Sequence, residues 1–259
     1  MSVNIPWIEV GCPLPDACEA LTEPAGLVAA GADLSCDRLS EAYGKGLFPW
    51  FSPGDPVLWW SPNPRMVLKI DQFHISKSMR KLLRQIERKQ QSGNFSLLVT
   101  TDVAFDAVLE GCATRGQRDN TEGTWITSEM KEAYRQWHKA GKVHSVETWA
   151  NGQLVGGLYG VCLGRQFFGE SMFSRTANAS KVAVAHLVAF LKQHQVKLID
   201  CQMQTDHLIS LGAQAIPRSE FLTQLKEAVA QPAIEWASGW LSLSGICEPV
   251  IPNTANLPY

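Results

Sequence analysis

Two short clusters set polar chemistry into apolar, strand-like runs. One is Gly169-Glu170-Ser171-Met172-Phe173-Ser174. The other is Asp200-Cys201-Gln202, which closes the run Val196-Lys197-Leu198-Ile199. A carboxylate inside a hydrophobic strand is costly unless it is paired or hydrogen-bonded. An unbroken strand alternates faces, so Asp200 and Gln202 are expected on one side and Ile199 and Cys201 on the other. Glu170 and Met172 share a face by the same rule. Two acids, an amide and a thioether on one wall suit a pocket for a cation or an amine beside an apolar group. Cys201 is expected to point away from that wall and is not a candidate nucleophile.

The elements around these clusters predict a mixed fold, α+β with helices and strands interleaved. Residues 1–70 are rich in Pro, Gly and Trp and read as a small N-terminal domain with one helix from Ser35 or Cys36 to Lys45. Residues 71–235 read as the larger domain, and 236–259 as an irregular tail. Within the larger domain, helices are expected near 76–89, 102–110, 128–140, 178–195, 205–211 and 219–230, the last with a start like a capping box. Strands are expected at 96–100, 144–149, 153–163, 166–172, 197–202 and 214–216. Asn151-Gly152 is a strong hairpin signal between two of them. This order resembles the fold of the GCN5-related N-acetyltransferases. In that fold a glycine-rich loop after the fourth strand holds the donor's pyrophosphate at a helix N-terminus. The corresponding segment here, residues 173–180, contains no glycine, which disfavours a coenzyme A donor.

The chain has 259 residues, 45% hydrophobic and 19% charged, with a net charge of −2. These values describe an ordinary globular protein with ample core. No apolar run is long enough to cross a bilayer, and the N-terminus carries no signal-peptide pattern. Seven cysteines are scattered without ligand spacing, which points to reduced thiols in a cytoplasmic setting and argues against a zinc site. The charge is uneven. Between Ser76 and Lys89 lie Lys77, Arg80, Lys81, Arg84, Arg88 and Lys89 against the single acid Glu87. At about 100° per residue, Lys77, Lys81, Arg84 and Arg88 form one stripe opposite Ile75, Met79, Leu82 and Ile86. A solvated face normally mixes signs, so this helix is read as a contact for a polyanion.

Gly26 to Leu34, Phe48-Pro49-Trp50-Phe51-Ser52-Pro53-Gly54, Leu58-Trp59-Trp60-Ser61-Pro62, Gly123-Thr124-Trp125-Ile126 and the two polar clusters occur in an order that resembles the bacterial leucyl/phenylalanyl-tRNA–protein transferases. The resemblance spans about residues 20 to 230. It implies an enzyme that moves Leu or Phe, less well Met, from aminoacyl-tRNA to the α-amine of proteins beginning with Arg or Lys. The product is a destabilising N-terminus that directs the protein to degradation. It also implies that Trp50 and Trp125 hold the donor's terminal adenosine, although the commoner fate of Trp is the core.

The residue types fit such a reaction. An apolar donor side chain needs an apolar cavity, for which Leu158, Met172 and Phe173 are candidates, while Phe168 is read as core. An acceptor Arg or Lys needs a carboxylate, for which Glu170 and Asp200 are candidates. The ester is already activated, and an α-amine with a pKa near ~8 is partly neutral at pH 7. Asp200 and Gln202 are therefore read as the catalytic pair. Gln202 accepts from the amine and orients it, and Asp200 polarises Gln202 or takes the proton. Lys77, Arg80, Lys81, Arg84 and Arg88 would grip the tRNA phosphates. No cofactor, metal or membrane partner is expected, and a monomer is favoured. Two other readings stay open: a coenzyme A-dependent N-acyltransferase, and a non-catalytic RNA-binding module. A metalloenzyme has no ligand-spaced motif behind it.

Overall fold

Ser35 opens the first helix, α1 (Cys36–Gly44), by accepting a hydrogen bond from the Arg38 N–H. The buried face of α1 carries Leu39, Ala42 and Tyr43. It lies beside a four-stranded sheet of order β1-β2-β4-β3, built from β1 (Trp7–Ile8), β2 (Leu27–Gly31), β3 (Phe48–Pro49) and β4 (Leu58–Trp60). This arrangement comes from a computed structural model that describes residues 5–114 and 126–249.

The second sheet has nine strands in the order β11-β5-β10-β9-β8-β7-β6-β12-β13. They are β5 (Arg65–Lys69), β6 (Leu97–Thr101), β7 (Val143–Ala150), β8 (Gln153–Leu163), β9 (Gln166–Ser174), β10 (Leu198–Gln202), β11 (Gln214–Ile216), β12 (Gly239–Leu241) and β13 (Cys247–Glu248). Asn151 and Gly152, both at positive φ, turn β7 into β8 as their sequence predicts. Among the described pairings of this sheet, β9 with β10 is the parallel one and the rest are antiparallel.

Helices cover both faces. On one side α2 (Lys77–Gln91) and α5 (Ala179–Gln193) pack with Leu68, Phe167 and Ile199. On the other, α1, α3 (Phe105–Ala113), α4 (Ser128–Lys139) and α7 (Arg218–Val229) pack with Val67, Tyr159, Phe168 and Leu198. The short α6 (Asp206–Ser210) follows β10. In α2 the buried side chains are Met79, Leu83, Ile86 and Gln90, while Lys77, Arg80, Lys81, Arg84, Arg88 and Lys89 are exposed.

Strand β5, within the first 70 residues, belongs to the nine-stranded sheet, and the core holding Leu39, Tyr43 and Trp59 continues into Trp137, Tyr159 and Phe168. Two expectations change. The stretch expected to be an irregular tail supplies β12 and β13, with Trp240 opposite Thr100. Such a short strand shows no alternation to read. Helix α7 begins after Pro217 without a capping side chain of its own; its Arg218 N–H goes to Asn63 Oδ1 at 3.0 Å.

Candidate active site

The site begins where two parallel strands part. β9 and β10 pair through Phe167 with Ile199 and Phe168 with Asp200. Immediately afterwards each strand loses register with its other neighbour: β9 against β8 between the partners of Tyr159 and Gly160, and β10 against β5 between Asp200 and Gln202. Glu170 and Cys201 are the extra residues. Gln202 takes up a left-handed backbone, φ 55°. Bulges bend strands and re-aim side chains. Here they end the β9–β10 pairing and leave a cavity of about 490 Å³ beyond it. The carboxyl ends of neighbouring parallel strands are a favoured place for ligands.

The cavity is mostly apolar. Leu158, Phe167, Met172, Leu187 and Ile199 line it, with Trp50, 40% exposed, also in its wall. Glu170 is the one carboxylate among the described lining residues. Its Oε2 accepts from Tyr134 Oη at 2.8 Å, and its Oε1 accepts from Gln202 Nε2 at 3.2 Å. Tyr43 Oη lies 2.8 Å from Tyr134 Oη, extending the chain into the core. Burial pushes the Glu170 carboxyl up to about 7, even though Tyr134 and Tyr43 act to lower it. The Tyr43 and Tyr134 hydroxyls are themselves held well above the usual phenol range by burial, and next by the charge of Glu170. Gln202 turns its NH₂ toward Glu170, the orientation that suits the ionised carboxylate, which only accepts. Its Oε1 is then left for another partner.

Asp200 is fully buried, 0% exposed, and is not among the lining residues. Its two oxygens accept from Arg65 Nε at 2.8 Å and Nη2 at 2.6 Å. The Arg65 guanidinium lies over the ring of Phe48, 5.0 Å away, and over that of Phe221, 4.6 Å away, and also donates to the Gly46 carbonyl. Asp200 Oδ1 accepts a further bond from the Gln202 backbone N–H at 3.0 Å. The ion pair therefore pins the bulge that presents Gln202. The expected sharing of one face by Asp200 and Gln202 fails because the bulge interrupts alternation. Asp200 neither reaches the cavity nor faces an acceptor's cation; it holds Gln202 by its backbone.

The bulge also reverses the expectation for Cys201, which lines the cavity; burial raises its thiol pKa strongly, keeping it protonated. Leu158 and Met172 line the cavity as expected. Phe173 does not. It follows Met172 and so faces the opposite core, with its ring against Gly111, where an added Cβ would lie 2.8 Å from it, and with the Arg175 guanidinium 5.3 Å from its centroid. Phe168 is core, as read. Trp125 lies outside the described residues. Arg65, Tyr43 and Tyr134 were not singled out in the sequence. Tyr134 lies on the buried face of α4 with Met130 and Trp137, a spacing that says nothing of its hydroxyl.

Residues 67–226 match the family described as leucyl/phenylalanyl-tRNA protein transferase, and residues 32–63 match the N-terminal domain of the same family. A relative from Bordetella petrii, named leucyl/phenylalanyl-tRNA–protein transferase, is 53% identical over 252 residues, covering 97% of this chain and 99% of the relative. This chain belongs to that family. Relatives of the same name from Bordetella bronchiseptica and Methylibium petroleiphilum are each 52% identical, over 96% and 89% of this chain and 98% and 88% of their own. Membership makes the chain an aminoacyltransferase working between aminoacyl-tRNA and protein.

Proposed function

We propose that this transferase moves Leu or Phe, and less well Met, onto the α-amine of proteins that begin with Arg or Lys, marking them for degradation through the N-end rule. The observation that carries the reading is Glu170 as the one carboxylate among the described residues that line a mostly apolar cavity. The apolar wall of Leu158, Phe167, Met172 and Ile199 suits a Leu or Phe side chain. Glu170 suits the cation of the acceptor's first residue, and in the enclosed site that pairing is stronger than in water.

The chemistry follows from placement. The acceptor's neutral α-amine attacks the ester carbonyl. A C–N bond forms, the C–O bond to the tRNA 3′ oxygen breaks, and one proton passes from nitrogen to that oxygen. Gln202 Oε1, freed by its NH₂ bond to Glu170, accepts from the amine and aligns it. Fixing the reactants in line supplies on the order of 7 kcal/mol or more in favourable cases, so neither Cys201 nor any other nucleophile is needed. Trp50 offers an exposed ring at the cavity for the terminal adenine. Helix α2 packs on the sheet face that carries Phe167 and Ile199, and its exposed cations are available to the phosphates of the acceptor stem. The larger sheet, with one parallel pair parting at its carboxyl ends, supports a likeness to the GCN5-related acyltransferase fold. A cytoplasmic monomer belongs to the same reading, as does a division into a small N-terminal domain, a catalytic domain and a C-terminal segment.

The test is transfer of label from Leu-tRNA to two peptides that differ only in an N-terminal Arg or Ala. Label on the Arg peptide alone is expected. Equal labelling of both would remove the acceptor role of Glu170.

A further inference from the structure

We propose that the C-terminal segment, through Trp236, fixes the shape of the donor cavity and thereby its preference between aminoacyl groups. This rests on the donor side chain occupying the apolar cavity, as argued above. Residues 234–241 lie beyond the family match that ends at residue 226.

The wall concerned is Phe167. Its ring lies across the backbone of Gly160, where an added Cβ would meet it at 2.5 Å, so there is no side chain beneath to brace it. Trp236 packs against it. The two rings are 5.8 Å apart and 25° from parallel. Trp236 also packs at 4.6 Å on Phe190 of α5, the helix whose Val184 and Leu187 line the same cavity. One residue of the segment thus backs two walls of the cavity.

Trp236 is itself held firmly. Its indole stacks on His144 at 4.2 Å and 7° from parallel, and its Nε1–H donates to Thr101 Oγ1 at 2.6 Å. His144 is fixed in turn by Asp102, at 2.7 Å from its Nδ1. Ser238 Oγ donates to the Asp102 carbonyl at 2.9 Å. β12 then pairs with β6, and Gln193 at the end of α5 donates to the Ser244 carbonyl at 2.9 Å. So many ties for a half-buried indole are more than a chain end needs to be kept in place. Their common result is a fixed ring against Phe167.

Without that brace Phe167 gains room to move outward, and the cavity widens. A small branched donor side chain then loses more contact than an aromatic one. Trp236 would be a positioning residue, acting through Phe167 and α5. The experiment compares kcat/KM for Leu-tRNA and Phe-tRNA, with one Arg-initiated peptide, in the full-length protein and in Trp236→Ala, Trp236→Leu and Trp236→Phe. The Leu:Phe ratio is expected to fall by about threefold or more in the Ala and Leu variants, mostly through KM. Trp236→Phe, which keeps an aromatic ring there, is expected to remain within about twofold of the parent ratio. An unchanged ratio in a folded Trp236→Ala or Trp236→Leu variant overturns the inference, even if total activity or stability drops, because that is what a merely structural brace would give. If neither variant folds, Phe167→Leu decides: the ratio must shift there, and constancy overturns the inference. Absence of transfer by the unmodified protein would instead count against the functional reading itself.

Discussion

Gln202 and Glu170 are joined by a side-chain hydrogen bond of 3.2 Å across β9 and β10, past the point where the backbones of the two strands have stopped pairing. One amide closes a gap that the main chain has opened. It is held from behind by Asp200 through the backbone and from the side by Glu170, so its remaining oxygen has a defined direction.

Replacing Gln202 by Ala should therefore cost alignment more than binding. The expected result is a fall of about 10²-fold in kcat with little change in the KM for aminoacyl-tRNA. Single-turnover transfer at saturating donor measures this. A comparable rise in KM with kcat unchanged would assign Gln202 to donor binding.

Glu170 carries a pH signature. Its pKa is about 7 in the folded protein against an ordinary value of 4.5. The folded state therefore holds more protons than the unfolded chain between those values. By linkage, this group makes stability decline as pH rises from about 4.5 to about 7, and the loss is complete above that window. Glu170→Gln cannot ionise, so the Tm of the variant relative to the parent should move upward across the same window. Thermal unfolding at pH 5, 6, 7 and 8 gives the comparison.

Tyr134→Phe removes a bond that lowers the Glu170 pKa, so the ionisation of Glu170 should shift further upward. If ionised Glu170 pairs with the acceptor's cation, the alkaline-rising limb of kcat/KM for an Arg peptide should move to higher pH. A profile unmoved by Tyr134→Phe would show that the limb reports another group.

The pair of Arg65 and Asp200 is predicted to matter far more when one partner is removed than when both are. Asp200→Asn leaves a buried guanidinium without its charge partner, with an expected loss of about 3–5 kcal/mol. An Arg65→Met, Asp200→Leu double variant should recover part of that stability. It should not recover transfer, because the Gln202 backbone would still lack its acceptor. Urea unfolding midpoints and transfer rates, measured together, separate the two effects.

On α2, reversing Arg80 and Arg84 to Glu should raise the KM for aminoacyl-tRNA and flatten its dependence on salt, leaving the KM for the peptide unchanged. Unaltered salt dependence would return this helix to an ordinary solvated face.

Much of the fold was legible because periodicity and caps agree. Ser35 and Ser76 mark helix starts, Asn151-Gly152 marks a hairpin, and β8 and β11 occupy the spans their residues suggest. The two polar clusters were legible as a site for a physical reason: buried acids need partners. Their geometry was not legible. Alternation places Asp200 beside Gln202, and only the register against Met66 and Val67 shows the bulge that parts them. Tyr43, Tyr134 and Arg65 could not be found locally, because their significance lies in residues far along the chain. Arg65 and Asp200 are 135 positions apart, and Tyr43 and Tyr134 are 91 apart. Strand β12 was hidden because three residues carry too little pattern.

Those same separations bear on how the protein is made. β5 waits for β10 and β11 before it has a partner on either side, and the Arg65 guanidinium has no carboxylate until Asp200 has been synthesised. Closing loops of that length is entropically demanding, and contacts so distant in sequence form slowly. The cavity, lined by Trp50 from before β5 and by Leu211 from after β10, should thus be among the last features to mature on the ribosome. A nascent chain that stops short of β10 would carry the exposed cations of α2, but no finished chamber beneath them.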